Sequence, residues 1–149
     1  MTALAVLVAV FAVTPPASAT VTATYGTLTA GAPSVAACTG GTCMATTGAF
    51  ASNGTVATVI TVTVALYRTK AVAGTTASPS TDYLVKTVTT TYSTSKNVKQ
   101  SWTLSVSQKC LTIGSTYGYY TRATMTNGTA SGTVSENSAV KQLKGCTTV

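Results

Sequence analysis

Residues 55–68 read TVATVITVTVALYR, and their side chains alternate in character. Ile60, Val62, Val64 and Leu66 fall on one side of an extended chain, and Thr61, Thr63, Ala65 and Tyr67 on the other, because successive Cβ atoms of a strand point to opposite faces. Residues 99–106, KQSWTLSV, alternate in the same way. Val98, Trp102, Leu104 and Val106 share a face with Gln100, while Lys99, Ser101, Thr103 and Ser105 face away. A Trp on an apolar strand face predicts core rather than a ligand platform. Further strands are predicted over 21–29, 44–52, 82–92, 117–126 and 132–143. Helical periodicity with caps is absent after residue 19. Asn53-Gly54 separates two strand-like runs and predicts a hairpin turn. Residues 71–81, AVAGTTASPST, are small, polar and turn-rich, and predict a flexible loop between sheet edges. There is no internal repeat.

About seven short strands with turn signals between them predict an all-β, antiparallel β-sandwich, with a small closed β-barrel as the alternative. The start of the chain reads differently. Residues 3–13, ALAVLVAVFAV, form an apolar run too short to span a bilayer, followed by Pro15, Pro16 and the small residues Ala17, Ser18 and Ala19. That order reads as a secretory signal peptide over 1–19, leaving 20–149 as a single domain. No Lys or Arg precedes the apolar run, so either the amino terminus supplies the only charge there or the true start lies upstream of Met1. No other apolar run approaches about 20 residues, so no transmembrane segment is expected in the mature chain. The expected location is extracellular or envelope-associated.

Charge narrows the partners. Charged residues are 7% of the chain, nine basic against two acidic, for a formal net charge of +7. That balance favours anionic partners such as teichoic acids, acidic glycans, phospholipid head groups or nucleic acid, or simply keeps an exported domain soluble. Arg68, Lys70, Lys86, Lys96, Lys99, Lys109, Arg122, Lys141 and Lys144 are spread along the second half of the chain, without the dense stripe of a nucleic-acid reader, so no specific nucleic-acid binding is expected. The four cysteines of an exported chain predict two disulfides, with three pairings open. Cys38 and Cys43 flank TGGT, whose paired glycines let the chain fold back tightly. The expected pairs are Cys38–Cys43 and Cys110–Cys146, contributing roughly 2 and roughly 3–4 kcal/mol by loop closure. A four-thiolate zinc site is the rival reading, weakened by the unusual C-x4-C spacing.

Residues 111–132, LTIGSTYGYYTRATMTNGTASG, concentrate Tyr117, Tyr119, Tyr120 and Arg122 in a chain otherwise poor in aromatic and charged groups. The pattern L-x-x-G-x-x-Y-x-Y-x-T-x-A-x-x-x-N-G, from Leu111 to Gly128, resembles the tyrosine corner and following strand of fibronectin type III and related immunoglobulin-like domains. The resemblance implies that Leu111, Tyr117, Tyr119, Thr121, Ala123 and Met125 face inward, and that Gly118, Tyr120, Arg122 and Thr124 face out.

Catalytic chemistry has little to work with. The chain has no His, and its only carboxylate side chains are Asp82 and Glu136, both expected to be solvated. Glycosidase pairs need two cooperating carboxylates, and Ser-His-Asp or Cys-His sites need His. Ser93 to Lys96, STSK, matches S-x-x-K formally, but in a polar turn and without its companion motifs. Asn53-Gly54-Thr55 and Asn127-Gly128-Thr129 match the glycosylation sequon and are read as turns. No cofactor or metal is expected. The expected function is a non-catalytic secreted or surface-associated binding or structural domain. Its partner would be an anionic cell-wall polymer, a glycan or an extracellular protein. Tyr120, Arg122, Lys99 and Lys86 are the candidate contacts, since Tyr and Arg most often carry binding energy. The alternatives are a proteinase inhibitor presenting the Cys38–Cys43 loop and a small cationic toxin or antimicrobial factor.

Overall fold

The computed structural model describes residues 19–69, 77–111, 116–129 and 131–144. The signal-peptide segment up to residue 18, most of the predicted loop at 71–81, and Cys146 lie outside the described residues. Ten strands form among them: β1 (Ala19–Ala23), β2 (Gly26–Ala30), β3 (Ser34–Cys38), β4 (Gly41–Ser52), β5 (Val59–Arg68), β6 (Tyr83–Ser93), β7 (Gln100–Lys109), β8 (Thr116–Thr126), β9 (Thr133–Asn137) and β10 (Lys141–Lys144). They make two antiparallel sheets that do not close into a barrel, so the sandwich holds. The first sheet joins β1, β2, β3, β4 and β7 around the long strand β4; the second joins β10, β8, β5 and β6, with β9 also on β8.

Alternation builds the layer between them. Ile60, Val62, Val64 and Leu66 of β5 are buried and meet Leu28, Met44, Phe50 and Val106 from the first sheet, as their period of two predicts. Trp102 and Leu104 pack against this core from β7, and the Trp102 ring stacks on Tyr92 at 4.7 Å. The sheets approach closely at Gly48, where an added Cβ would stand 2.6 Å from a Val64 methyl. A larger residue there would force the layers apart.

Polar groups that enter this layer are paired, as burial requires. Thr46 donates to the Gly31 carbonyl at 2.9 Å and its hydroxyl bonds that of Thr121, tying the first sheet to the second. The Thr121 N–H donates to the Ser138 hydroxyl at 3.0 Å, and the Ser138 N–H returns a bond to the Thr121 carbonyl. Tyr25 turns inward from the β1–β2 turn, and its hydroxyl lies against the carbonyls of Met125, at 3.1 Å, and Gly132. Two differences from the expected strands stand here: the run at 21–29 is two strands with Tyr25 buried at the turn between them, and the run at 132–143 is two strands, both paired with β8, with the buried Ser138 bonded to Thr121 between them. Strand β3 was not expected; its SVAAC sequence is short and lacks alternation.

The Asn-Gly pairs divide. Asn127-Gly128 stands in the connection between β8 and β9, which do pair, with Gly128 at φ 87° and the Asn127 side chain accepting the Thr129 N–H. Asn53-Gly54 is not a hairpin, because β4 and β5 belong to different sheets. It is a crossover corner: Asn53 donates to the Thr24 carbonyl at 2.8 Å, and Gly54 at φ 74° lies against the backbone of Val98.

The Tyr25→Phe variant is expected to lose about 1–3 kcal/mol, because the phenol's bonds to the Met125 and Gly132 carbonyls are lost in a buried setting and Gly132 keeps only the 3.3 Å bond from the Asn127 N–H. In urea titration the midpoint should drop with the slope unchanged. Gly48→Ala should cost about 1–3 kcal/mol through overpacking against Val64. An unchanged midpoint in either variant would mean that the sheets tolerate a wider spacing.

Candidate binding site

The four candidate contacts do not come together. Tyr120 has the outward parity expected of it, but it is not exposed: its relative accessibility is 0%. The reason is a cover on the outer face. The Tyr67 ring stacks on it at 5.3 Å with planes 7° apart. Asp82 then accepts the Tyr120 hydroxyl at 3.0 Å and the Ser78 N–H at 2.8 Å, so the turn leading into β6 is pinned over the ring. Asp82 is therefore half-buried and engaged, not solvated as expected. Glu136 is half-buried too and accepts the Asn137 N–H at 3.2 Å. Arg122 is half-buried and donates to Asn137 at 3.3 Å. Lys86 is exposed, lies at the edge of β6 and reaches across to the Ser107 carbonyl of β7 at 2.8 Å. Lys99 is exposed at the other end, before β7.

The tyrosine stretch splits as the resemblance implies for Tyr119, Thr121, Ala123 and Met125, which are all buried. Tyr117 packs against the core without being sealed in it. Leu111 departs from the pattern at 63% exposure. Strand β7 has ended by Lys109 and neither sheet extends over this position. Cys38–Cys43 is formed, closing the β3–β4 turn. Cys110 is disulfide-bonded as well. Among the described residues no group of three His, Cys, Asp or Glu side chains could hold a metal. Ser93 ends β6 and Lys96 stands exposed in the turn that follows, on strand geometry rather than at a helix start.

A different constellation assembles from register. Arg68, the last residue of β5, pairs with Tyr83 of β6 on one side and with Tyr119 of β8 on the other, and Tyr119 pairs in turn with Lys141 of β10. Aromatic and cationic residues thus alternate across four neighbouring strands. The Arg68 guanidinium lies 5.0 Å from the Tyr83 ring centre and 4.9 Å from that of Tyr117, a double cation–π contact that orients it. Tyr117 meets Tyr119 edge to face at 6.5 Å. Tyr83 and its neighbour Leu84 are each 45% exposed, while Arg68 and Lys141 are half-buried.

Connectivity brings further charge to this end. Lys109 closes β7 level with Cys43, and its side chain runs beside the Gly40-Gly41 turn. Lys86 stands nearby, level with Leu66. Cations far apart in sequence, which had seemed scattered, therefore gather where β5 and β7 finish and β6 and β10 begin. Lys96 and Lys99 remain at the opposite end. No pocket opens among the described residues; of the row, Tyr119 is fully buried in the core, Arg68 and Lys141 are half-buried and only Tyr83 is exposed. No protein-family model, curated protein or solved structure matches this chain.

Burial, reinforced by the bond to Asp82 and its charge, pushes the Tyr120 hydroxyl well above the ordinary tyrosine range. Burial alone raises Tyr25. The fold therefore favours the protonated phenol. That contribution is complete below the unfolded tyrosine pKa of about 10 and is lost as pH rises through the higher folded value. The thermal midpoint of the protein should fall between pH values of about 9 and about 11, and less steeply in Tyr120→Phe. Parallel pH profiles for the two proteins would remove Tyr120 as the cause.

Proposed function

We propose that the chain is a non-catalytic, exported immunoglobulin-like domain that holds an anionic polymer of the cell envelope or its surroundings. The observation that carries this reading is the gathering of Arg68, Lys86, Lys109 and Lys141 at one end of the sandwich. Summed charge on one end raises the local concentration of a polyanion more than the same charges dispersed. The opposing carboxylate at that end, Asp82, is taken by Ser78 and Tyr120. The exchange of β4, β7 and β5, β8 between the two sheets, with core residues following Tyr117 in alternation, supports the immunoglobulin-like reading. Disulfides suit an oxidising compartment and support export.

The reading gives an ordered prediction. Purified protein should be retained by anionic wall polymer at low salt and released as salt screens the exposed charges. Replacing Arg68, Lys109 and Lys141 together by Gln should weaken retention at least about tenfold, a loss on the scale of a few ion contacts. Replacing Lys96 and Lys99 by Gln should weaken it much less. Equal losses from the two sets would show that only net charge matters, and no retention at low salt would end the proposal.

A further inference from the structure

We infer that β6 is a self-association edge, and that its partner is β6 of a second copy of this chain, paired antiparallel about Thr90. The inference does not depend on the anionic-polymer reading above. It comes from where the backbone hydrogen bonds of the edge strands point.

Strand β6 pairs with β5, and among the described residues no strand pairs with its other side. The direction of its free groups follows from register. The Thr69 N–H bonds the Gly118 carbonyl, so odd-numbered residues of β5 turn their backbone groups toward β8 and even-numbered ones toward β6. The partners of Ile60, Val62 and Val64 are Tyr92, Thr90 and Val88. Those three are therefore satisfied by β5. Thr87, Thr89, Thr91 and Ser93 turn their N–H and C=O groups outward from the sheet edge, and all four are exposed.

The other edges are guarded. Strands β1, β3 and β9 have 5 residues each and β10 has 4. Strand β7 is long, but Lys99 precedes it, Lys109 ends it, and the Lys86 ammonium already donates to its Ser107 carbonyl at 2.8 Å. Short strands, lysines and bulges are the devices that keep sheet edges from pairing. Strand β6 has such devices at its start alone, in Lys86 and the register shift opposite Leu66 and Tyr67. Beyond them residues 87–93, TVTTTYS, hold no charged residue, Pro or Gly. A long, uncharged, β-branched edge is a template for another strand.

The stretch is complementary to itself. With Thr90 on a two-fold axis, Thr89 meets Thr91 and Thr87 meets Ser93, so every residue with free backbone groups meets another, for about eight hydrogen bonds. On the core side Val88 meets Tyr92 of the second copy, and Tyr92 its Val88. Both side chains pack against the core half-buried, and an aromatic beside a β-branched residue is a favourable cross-strand pair. Lys86 falls opposite Thr94, so no cation directly faces a cation. Both copies still carry a formal charge of +7, so salt should favour the pairing, opposite in sign to its effect on a polyanion.

The test is sedimentation equilibrium of the mature domain up to about 1 mM, the weak end of useful affinity, at low and high salt. A dimer should form and tighten as salt rises. Thr91→Pro removes an N–H that faces the edge, so it spares the bonds to β5 and should weaken the dimer at least about tenfold. Its thermal midpoint confirms folding. Thr90→Cys should lock the dimer under mild oxidation, because two residues on the axis of such a pair stand about 4.5 Å apart, within disulfide reach. Thr103→Cys on β7 should not. A domain that stays monomeric at both salts overturns the inference. So does a dimer that tolerates Thr91→Pro, one that Thr90→Cys fails to lock, or one locked through Thr103→Cys.

Discussion

Strand β8 is buried on both of its faces at the end where it begins, and much of the architecture answers that constraint. A strand of a two-layer sandwich normally gives one face to the core and one to water. Here Tyr119 and Thr121 enter the core while Tyr120, between them, is equally sealed. A second cover is needed on the outside, and the Tyr67 ring and the Ser78–Asp82 turn provide it. Asp82 is the critical group in that cover. It joins a backbone N–H of the turn to a phenol of the sheet, so the approach to β6 is fixed relative to β5 and β8. Fixing that approach also fixes Tyr83, the next residue, against Arg68.

The outer face away from this cover is of another kind. Thr91, Thr61, Thr126 and Thr133 fall in one cross-strand row, and Thr89, Thr63, Thr124 and Ser135 in the next. Their hydroxyls pair across strands, as in Thr63 with Thr89 at 2.9 Å and Thr126 with Thr133 at 2.7 Å. Thr suits the position twice over: its branched Cβ favours the extended backbone, and its hydroxyl stabilises the cross-strand pair. A chain with 7% charged residues solvates this face with hydroxyls instead of ions. Its few cations are then free to be placed elsewhere, and where each strand ends decides where they go.

How much of this the sequence carried depends on whether the cause was local. The inward set on β5 was legible because period two is a property of consecutive residues. The same holds for the parity of Tyr119 and Tyr120. The burial of Tyr120 was not legible, since it depends on Asp82 arriving from 38 residues away. Nor was the fate of Asn53-Gly54. The dipeptide specifies a bend with positive φ, but whether the bend joins partners in one sheet or crosses to the other depends on which strands β4 and β5 pair with. Tyr25 illustrates the extreme. Nothing in its neighbourhood signals a hydroxyl whose acceptors lie 100 and 107 residues on.

The site follows the same rule. Read along the chain, Arg68, Tyr83, Tyr119 and Lys141 are unrelated, while Tyr120 and Arg122 stand two residues apart on one outward face and suggest a pair. In an antiparallel sheet adjacency along the strand separates side chains onto opposite faces, while pairing across strands brings distant residues side by side. Functional clusters on such sheets are therefore written across the register. Arg68 gains its setting from this: one strand supplies the Tyr83 ring and another the Tyr117 ring, and together they orient the guanidinium. A cation oriented by aromatic faces keeps its charge available to an outside anion, where one neutralised by a carboxylate would not. The sequence has only two carboxylate side chains, and among the described contacts Asp82 accepts from Ser78 and Tyr120 while Glu136 accepts from Asn137.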